Sequence, residues 1–268
     1  QGTRSALGSV AGAAVGGLGG WLVAREALGN GYASVFLLAF VLTALGLVTL
    51  AFIREPDSPS PRENTPLTDR LGQLPHLLRS DPAFTRYLLA RSLGVMGRMA
   101  MPFYIVFVDA RLDLTGGQLG ELTVAFVLAQ GLLSLGYGLL ADRRGFRVSF
   151  LMALVVWIAS ALLLLQADDY GQVLVAYVGL GGGLGGFMMS AQNLALEFGS
   201  RANLPMRIAV ANSASELVGV VAPLLGGVLA ALWSYPAVIL AAVGFKLLSF
   251  AVTAMGVDEP RHRRDGPL

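Results

Sequence analysis

The sequence contains no cysteine and only two histidines, His76 and His262. The lack of cysteine excludes a disulfide framework, a thiolate metal site and a cysteine nucleophile. Both histidines lie in polar stretches, so we expect no histidine-rich metal site. Charge is scarce too, because 13% of the residues are charged, whereas 55% are hydrophobic and the mean hydropathy is +0.66. This composition predicts a membrane protein.

Eight apolar segments are long enough to cross a bilayer, which requires about 20 residues per helix. They are residues 5–24, 33–53, 87–108, 118–140, 148–165, 173–196, 208–232 and 236–257. They lack the period-two alternation of barrel strands, so they predict helices. The expected fold class is therefore all-α, a polytopic membrane helix bundle.

Arginine is distributed unequally between the two sides of the predicted membrane. If the chain starts inside and crosses at every span, fourteen arginines fall on the inner side and two, Arg25 and Arg111, on the outer side. Basic residues concentrate on the cytoplasmic side of membrane proteins. We therefore expect a multi-pass protein of the inner or plasma membrane with a cytoplasmic C-terminus.

The one long polar stretch, residues 54–84, is predicted to be a cytoplasmic linker. Its first part is rich in proline and serine, which is typical of a flexible segment. Its second part carries leucines at 71, 74, 77 and 78. That part is interpreted either as a short amphipathic helix on the inner leaflet or as a solvated linker.

The sequence contains an internal repeat. A shift of 203 residues aligns Arg4 with Arg207 and Gly16 with Gly219, and an acidic residue followed by proline comes after both copies. Such symmetry is expected of transporters built from repeated halves. We predict that 1–53 holds the last two helices of an N-terminal six-helix bundle, that 85–257 is the C-terminal six-helix bundle and that 258–268 is a cytoplasmic tail. Four more helices would then precede Gln1, and residues 1–268 alone should insert into a membrane without transporting.

The turn between the fourth and fifth spans, GLLADRRGFR at 138–147, concentrates charge around a glycine. It resembles the loop signature G-x-L-x-D-R-x-G-R-R of the major facilitator superfamily, between the eighth and ninth helices, although Phe146 stands where arginine is common. The helix count, sidedness, linker and repeat agree with helices five to twelve of that family. The resemblance thus implies that residues 1–268 contain eight helices of a protein with twelve.

The candidate gating loop consists of Gly138, Asp142, Arg143, Gly145 and Arg147. Gly145 permits a tight turn, and Gly138 lets a neighbouring helix approach. Asp142 can face a helix N-terminus, and Arg143 can add a charged hydrogen bond. As the resemblance implies, this contact would form when the cytoplasmic ends of the two halves are close and favour an outward-open state. The alternative is that Asp142 caps the following helix and that the arginines only set topology.

Several charged and polar residues lie inside predicted spans, where an ionisable group costs at least about 2.5–3.5 kcal/mol. Arg98 and Glu216 lie roughly 17 Å and 13 Å from the inner ends of their helices, so they can meet near the midplane. Glu216 could then carry a coupling proton, or the two residues could form a static ion pair. Arg98 could alternatively bind an anionic substrate. Arg91 is a further candidate for the pathway, although it and Lys246 could simply extend to the membrane surface.

The span 173–196 contains a glycine run, GLGGGLGG, whose spacing matches a dinucleotide-binding loop. No strand precedes it, so we reject a nucleotide site and expect the glycine pairs Gly179/Gly183 and Gly182/Gly186 to permit close helix packing. Polar side chains that could line the pathway are Gln130, Gln192 and Asn193.

The prediction for function is a secondary active transporter that moves a small solute by alternating access, either with or without coupling to protons. The alternative is a transporter-like membrane scaffold or sensor without transport. We expect no enzymatic activity and no cofactor or metal. The expected partners are a small-molecule substrate, membrane lipid and protons; we expect no nucleic acid, and a monomer.

Overall fold

The structure is a computed structural model that describes residues 31–52, 74–198 and 204–257, together with isolated positions at 15, 18, 19, 22 and 72. The regular secondary structure in these ranges is entirely helical, which confirms the all-α fold class. The helices are α1 (Gly31–Ala51), α2 (Leu74–Ser80), α3 (Pro82–Met96), a 3-10 helix (Gly97–Ala100), α4 (Met101–Leu112), α5 (Gly116–Arg144), α6 (Phe146–Gln166), α7 (Tyr170–Glu197), α8 (Leu204–Leu232) and α9 (Tyr235–Gly256).

Seven helical segments within the described ranges are long and apolar enough to cross a membrane, counting α3 to α4 as one segment. They correspond to seven of the eight predicted spans and extend a few residues beyond most predicted bounds. Interfacial polar residues continue these helices past the apolar core. The predicted span 5–24 lies outside the described residues apart from isolated positions.

The chain divides into two compact units with a boundary between Ser80 and Asp81. In the first unit, the described helices are α1 and α2. The short α2 occupies the second part of the predicted linker, whereas most of the first part lies outside the described residues. The prediction that α2 lies on the inner leaflet stays a prediction.

The second unit contains the other helices, and α7 is its most buried span. Helix α7 packs along both α5 and α6, while α9 packs against α3 and α6, and α8 against α3. The first span of this unit therefore lies against its last two spans. Helix α1 shifted by 203 residues coincides with α9 to within two residues at each end, and the division into repeated halves stays a prediction.

Local sequence sets where these helices begin. Asp81 accepts a hydrogen bond from the Phe84 N–H at the start of α3, and Thr115 forms a capping box with Gln118 at the start of α5. Ser234 caps α9, whose second residue, Pro236, needs no donor at that position. Such caps satisfy the N–H groups that the first turn leaves free.

The glycine run on α7 permits close contact with two helices. A Cβ atom at Gly183 would lie 2.8 Å from the Trp157 Cα on α6, and one at Gly186 would lie 2.9 Å from the Ala153 Cβ. A Cβ at Gly181 or Gly185 would collide with backbone carbonyls of α5. The prediction of close packing is confirmed, and the helical conformation agrees with the rejection of a nucleotide loop.

Candidate functional site

Arg91 is buried and lies at the centre of a hydrogen-bond network. The residue is 7% exposed. Its Nη1 donates to the Tyr87 hydroxyl (3.2 Å), its Nη2 donates to Asn212 Oδ1 (3.0 Å), and the Tyr87 hydroxyl donates to the Ala191 carbonyl (2.6 Å). The network thereby joins α3, α7 and α8. The interpretation that Arg91 extends to the membrane surface is wrong, because these partners hold its guanidinium inside the unit.

A second contact between α3 and α8 is an ion pair near their N-terminal ends. Arg207, at the start of α8, binds the Asp81 carboxylate at 2.5 Å, and its guanidinium carbon lies 5.0 Å from the centre of the Phe84 ring. Tyr87 stacks on Phe198 with the ring centres 5.1 Å apart. The ion pair and the Arg207–Phe84 contact therefore join the N-terminal ends of α3 and α8, while the Tyr87–Phe198 stack joins α3 to the C-terminal end of α7.

Arg98 occupies the break in the first span of the unit. It is half-buried, whereas Gly97, Met99 and Ala100 around it are buried. Arg91 and Arg98, seven residues apart on the first span of the unit, thus differ in environment, because Arg91 is buried.

Glu216 is exposed on α8. The structure does not join it to Arg98, because the ion pairs among the described residues are Arg111–Asp168 and Arg207–Asp81. The prediction that Arg98 and Glu216 are coupled stays a prediction. Glu216 is nevertheless the carboxylate nearest the middle of any described span, since the other acidic residues lie near helix ends.

The uncharged candidates have different environments. Gln192 is exposed on α7, while the neighbouring Asn193 donates to the Met189 carbonyl of its own helix at 2.8 Å. Gln130 is half-buried on α5, and its backbone carbonyl faces Gly185 of α7. The structure shows no direct contact that would make these three residues one site.

The charged turn between α5 and α6 depends on a glycine. Gly145 has φ 90° and ψ 160°, a region that other residues rarely adopt. The predicted tight turn is confirmed. Arg143 is exposed, whereas Arg147 donates to the Thr253 and Ala254 carbonyls at 3.4 Å and 2.7 Å.

The interpretation that Asp142 caps α6 is wrong, because the cap residue is Gly145 and it receives no side-chain hydrogen bond. No atom of the described residues lies within 4 Å of a Cβ placed at Gly138, so the expected approach of a neighbouring helix stays a prediction. Asp142 is exposed and forms no ion pair with a described residue, so the part of the latch prediction that concerns a helix N-terminus stays a prediction.

Arginines also cap the last helix. Arg86 donates to the Gly256 carbonyl at 3.3 Å, close to the carbonyls that Arg147 binds. The last carbonyls of a helix have no partner within it and carry partial negative charge. Arg86 of α3 and Arg147 of α6 thus fix the C-terminal end of α9.

A comparison with protein families supports the architecture described above. A family model described as Major Facilitator Superfamily matches residues 92–268, more than half of the chain. The chain belongs to the major facilitator superfamily. As a member of this superfamily it is a multi-pass membrane protein of a family of transporters, which are in general not enzymes. No curated protein matches the chain.

The structure places Lys246 inside this superfamily bundle. Lys246 is the one lysine of the sequence and is completely buried. Its ammonium donates to the Gly97 carbonyl and lies 4.3 Å from the centre of the Trp157 ring. The interpretation that Lys246 extends to the membrane surface is therefore wrong.

Sequence reasoning also missed two partners of Arg91. Tyr87 precedes Arg91 by four residues, a spacing that places both on one helix face and could have revealed it. Asn212 is a polar residue inside a span, which by itself marks a candidate. The Gly97 carbonyl that binds Lys246 has no sequence signature, because it depends on the local break of the helix.

No metal site is found in the part of the chain that the structure describes, where no three histidine, aspartate or glutamate side chains are grouped closely enough to hold an ion. The expectation of no cofactor stays a prediction.

Proposed function

We propose that the protein is a secondary active transporter that moves a small solute by alternating access and uses protons as the coupling ion. One observation carries the proposal: Arg98 and Glu216 lie within spans, yet neither has an ion-pair partner among the described residues. A charged group in a membrane needs water, a counter-ion or a change of protonation. A scaffold without transport has no use for two such groups.

The two charged groups suit different tasks. The Arg98 guanidinium stays charged and offers several donors in one plane, which matches a carboxylate or phosphate of a substrate. The Glu216 carboxyl can bind and release a proton when its surroundings alternate between wet and dry. Gln130 and Gln192 would add uncharged contacts along the same pathway.

Replacing Glu216 with glutamine tests the proton assignment. In proteoliposomes with the intact protein, Glu216→Gln should abolish accumulation driven by a pH gradient but retain counterflow exchange, which requires no net proton release. Uptake would be measured with and without a gradient, and folding by size-exclusion chromatography. Accumulation that stays pH-driven in a well-folded variant would refute the assignment.

Coupling between Glu216 and Arg98 can be measured separately from transport. If the two side chains meet in another state of the cycle, the double variant Glu216→Gln/Arg98→Gln should cost less stability than the two single variants together. Thermal unfolding of the four proteins provides the comparison. Strictly additive effects would exclude the pair.

Arg98→Lys should weaken substrate binding, because an ammonium does not reproduce the planar donor geometry.

We further propose that Asp142 stabilises the outward-open state through a cytoplasmic contact, which its exposed position on α5 leaves possible. Asp142→Asn should shift the population toward the inward-open state and slow transport without preventing folding. Because residues 1–268 contain no cysteine, single cysteines at their cytoplasmic helix ends can report accessibility once any cysteine elsewhere in the protein is replaced by serine. Unchanged labelling rates in Asp142→Asn would contradict the latch, and Arg144→Gln provides a control that removes a neighbouring exposed charge.

A further inference from the structure

The helix break that contains Arg98 has an identifiable cause. Pro102 has no N–H group, and its ring would collide with the carbonyl of the residue four positions earlier, which is Arg98. The Met101 N–H consequently bonds the Arg98 carbonyl instead of the Gly97 carbonyl. The Gly97 carbonyl thereby loses the donor that a regular α-helix would supply.

Lys246 supplies a donor at this point. Its ammonium, on α9, donates to the Gly97 carbonyl. The fit is tight, because a Cβ atom at Gly97 would lie 2.7 Å from the Lys246 Cγ and 3.0 Å from the Ala242 carbonyl oxygen. Trp157 of α6 covers the ammonium at 4.3 Å, a cation–π contact that strengthens when water is absent.

A second helix confines the break from elsewhere. A Cβ atom at Gly226 of α8 would lie 2.6 Å from the Met99 carbonyl oxygen. Of the four residues in the break, Arg98 alone is not buried. The surrounding helices thus hold the backbone of the break while the Arg98 side chain remains accessible.

Packing alone does not require a lysine here. A buried cation without a carboxylate partner is costly, and an apolar side chain of similar length would fill the same volume. The ion pairs among the described residues do not include Lys246. What the lysine adds over methionine is a charged donor directed at the Gly97 carbonyl, the first carbonyl of the break.

We propose that Lys246 is a positioning residue that fixes the 3-10 break through the Gly97 carbonyl and so sets the place of Arg98. Its relevance to substrate binding rests on the transport function proposed above, whereas the positioning itself does not. The two ideas can therefore fail separately.

Cysteine labelling at residue 98 tests the positioning directly. In the intact protein, with any cysteine outside residues 1–268 replaced by serine, Arg98→Cys would be combined with Lys246→Met and treated with sulfonatoethyl methanethiosulfonate. Since the lost bond involves a charged donor, residue 98 should be labelled at least about tenfold faster than with Lys246 present. An unchanged rate would overturn the proposal.

Two controls separate positioning from general loosening. Ser249→Ala removes another hydrogen bond between α9 and α3, which the Ser249 hydroxyl donates to the Ala90 carbonyl at 2.7 Å. Because Ser249 does not contact the break, this variant should change the labelling rate at residue 98 by no more than about twofold. Ala176→Cys reports a fully buried site on α7. If Lys246→Met accelerates labelling at residue 176 as much as at residue 98, the lysine merely stabilises the bundle and the proposal is wrong. If labelling at residue 98 alone accelerates, positioning holds. If the protein that keeps both Arg98 and Lys246 nevertheless transports no solute, the transport proposal fails separately.

Discussion

Replacing Gly181 and Gly185 together with alanine should prevent the second unit from folding. Each new Cβ atom would collide with a backbone carbonyl of α5, that of Phe126 or of Gln130. A side chain could rotate away, but a helix backbone can only move as a whole. Overpacking costs about 1–3 kcal/mol per site, so the pair removes much of the stability of the unit.

The measurement is size-exclusion chromatography in detergent together with thermal unfolding. The double variant should lose its monodisperse peak. Gly120→Ala/Gly136→Ala is the matched control, because both glycines lie on α5 with nothing within 4 Å of an added Cβ. It should fold normally, since alanine favours a helix. A double variant at positions 181 and 185 that unfolds no earlier than this control would contradict the close packing.

Helix positions were predictable because they depend on one property that the sequence displays directly. Apolar runs of sufficient length marked every described span, and glycine spacing marked the close contacts of α7. The turn at Gly145 was likewise predictable, since few other residues tolerate its backbone conformation.

Side-chain partners were less predictable because they depend on how the helices are rotated about their axes. Extension to the membrane surface was an alternative interpretation for Arg91 and Lys246, whereas both are directed into the unit. Helix rotation depends on contacts such as Gly226 against the Met99 carbonyl, which no single helix reveals. The break at 97–100 could have been inferred from Pro102, but its partner Lys246 could not.

Replacing Arg91 with methionine should leave the fold stable but abolish transport. Arg91 is a buried cation whose partners are a hydroxyl and an amide, so its desolvation is only partly offset. Methionine avoids that cost, and Tyr87 keeps its bond to the Ala191 carbonyl. Stability should be unchanged or higher, as is found when apolar residues replace buried charges.

The loss of transport follows from what the arginine does beyond packing. A group that lowers stability is retained where function requires it, and the guanidinium has N–H groups left for a substrate anion. Losing a charged contact of this kind costs about 2–5 kcal/mol, or at least about thirtyfold in affinity. Uptake into proteoliposomes and thermal unfolding would be measured in parallel.

Arg111→Met is the control for a lost positive charge. Arg111 pairs with Asp168 at an exposed position, so transport should continue after its replacement. A folded Arg91→Met protein with normal uptake would refute the functional role. An unfolded Arg91→Met protein that Arg91→Lys restores would show that the charge is needed for structure instead.

The packing of α3 against the last two helices has a consequence for synthesis in the cell. The hydrogen-bond partner of Arg91, Asn212, is synthesised 121 residues later. The Lys246 donor to the Gly97 carbonyl is synthesised 149 residues after Gly97. At about 5–20 residues per second, the ribosome needs about 7 to 30 s to make the second of these intervals. During that time the final neighbours of α3 have not been made, so the Arg91 guanidinium and the Gly97 carbonyl lack these partners. Until α8 and α9 are inserted, the Arg91 cation therefore depends on water or on another protein for its hydrogen bonds.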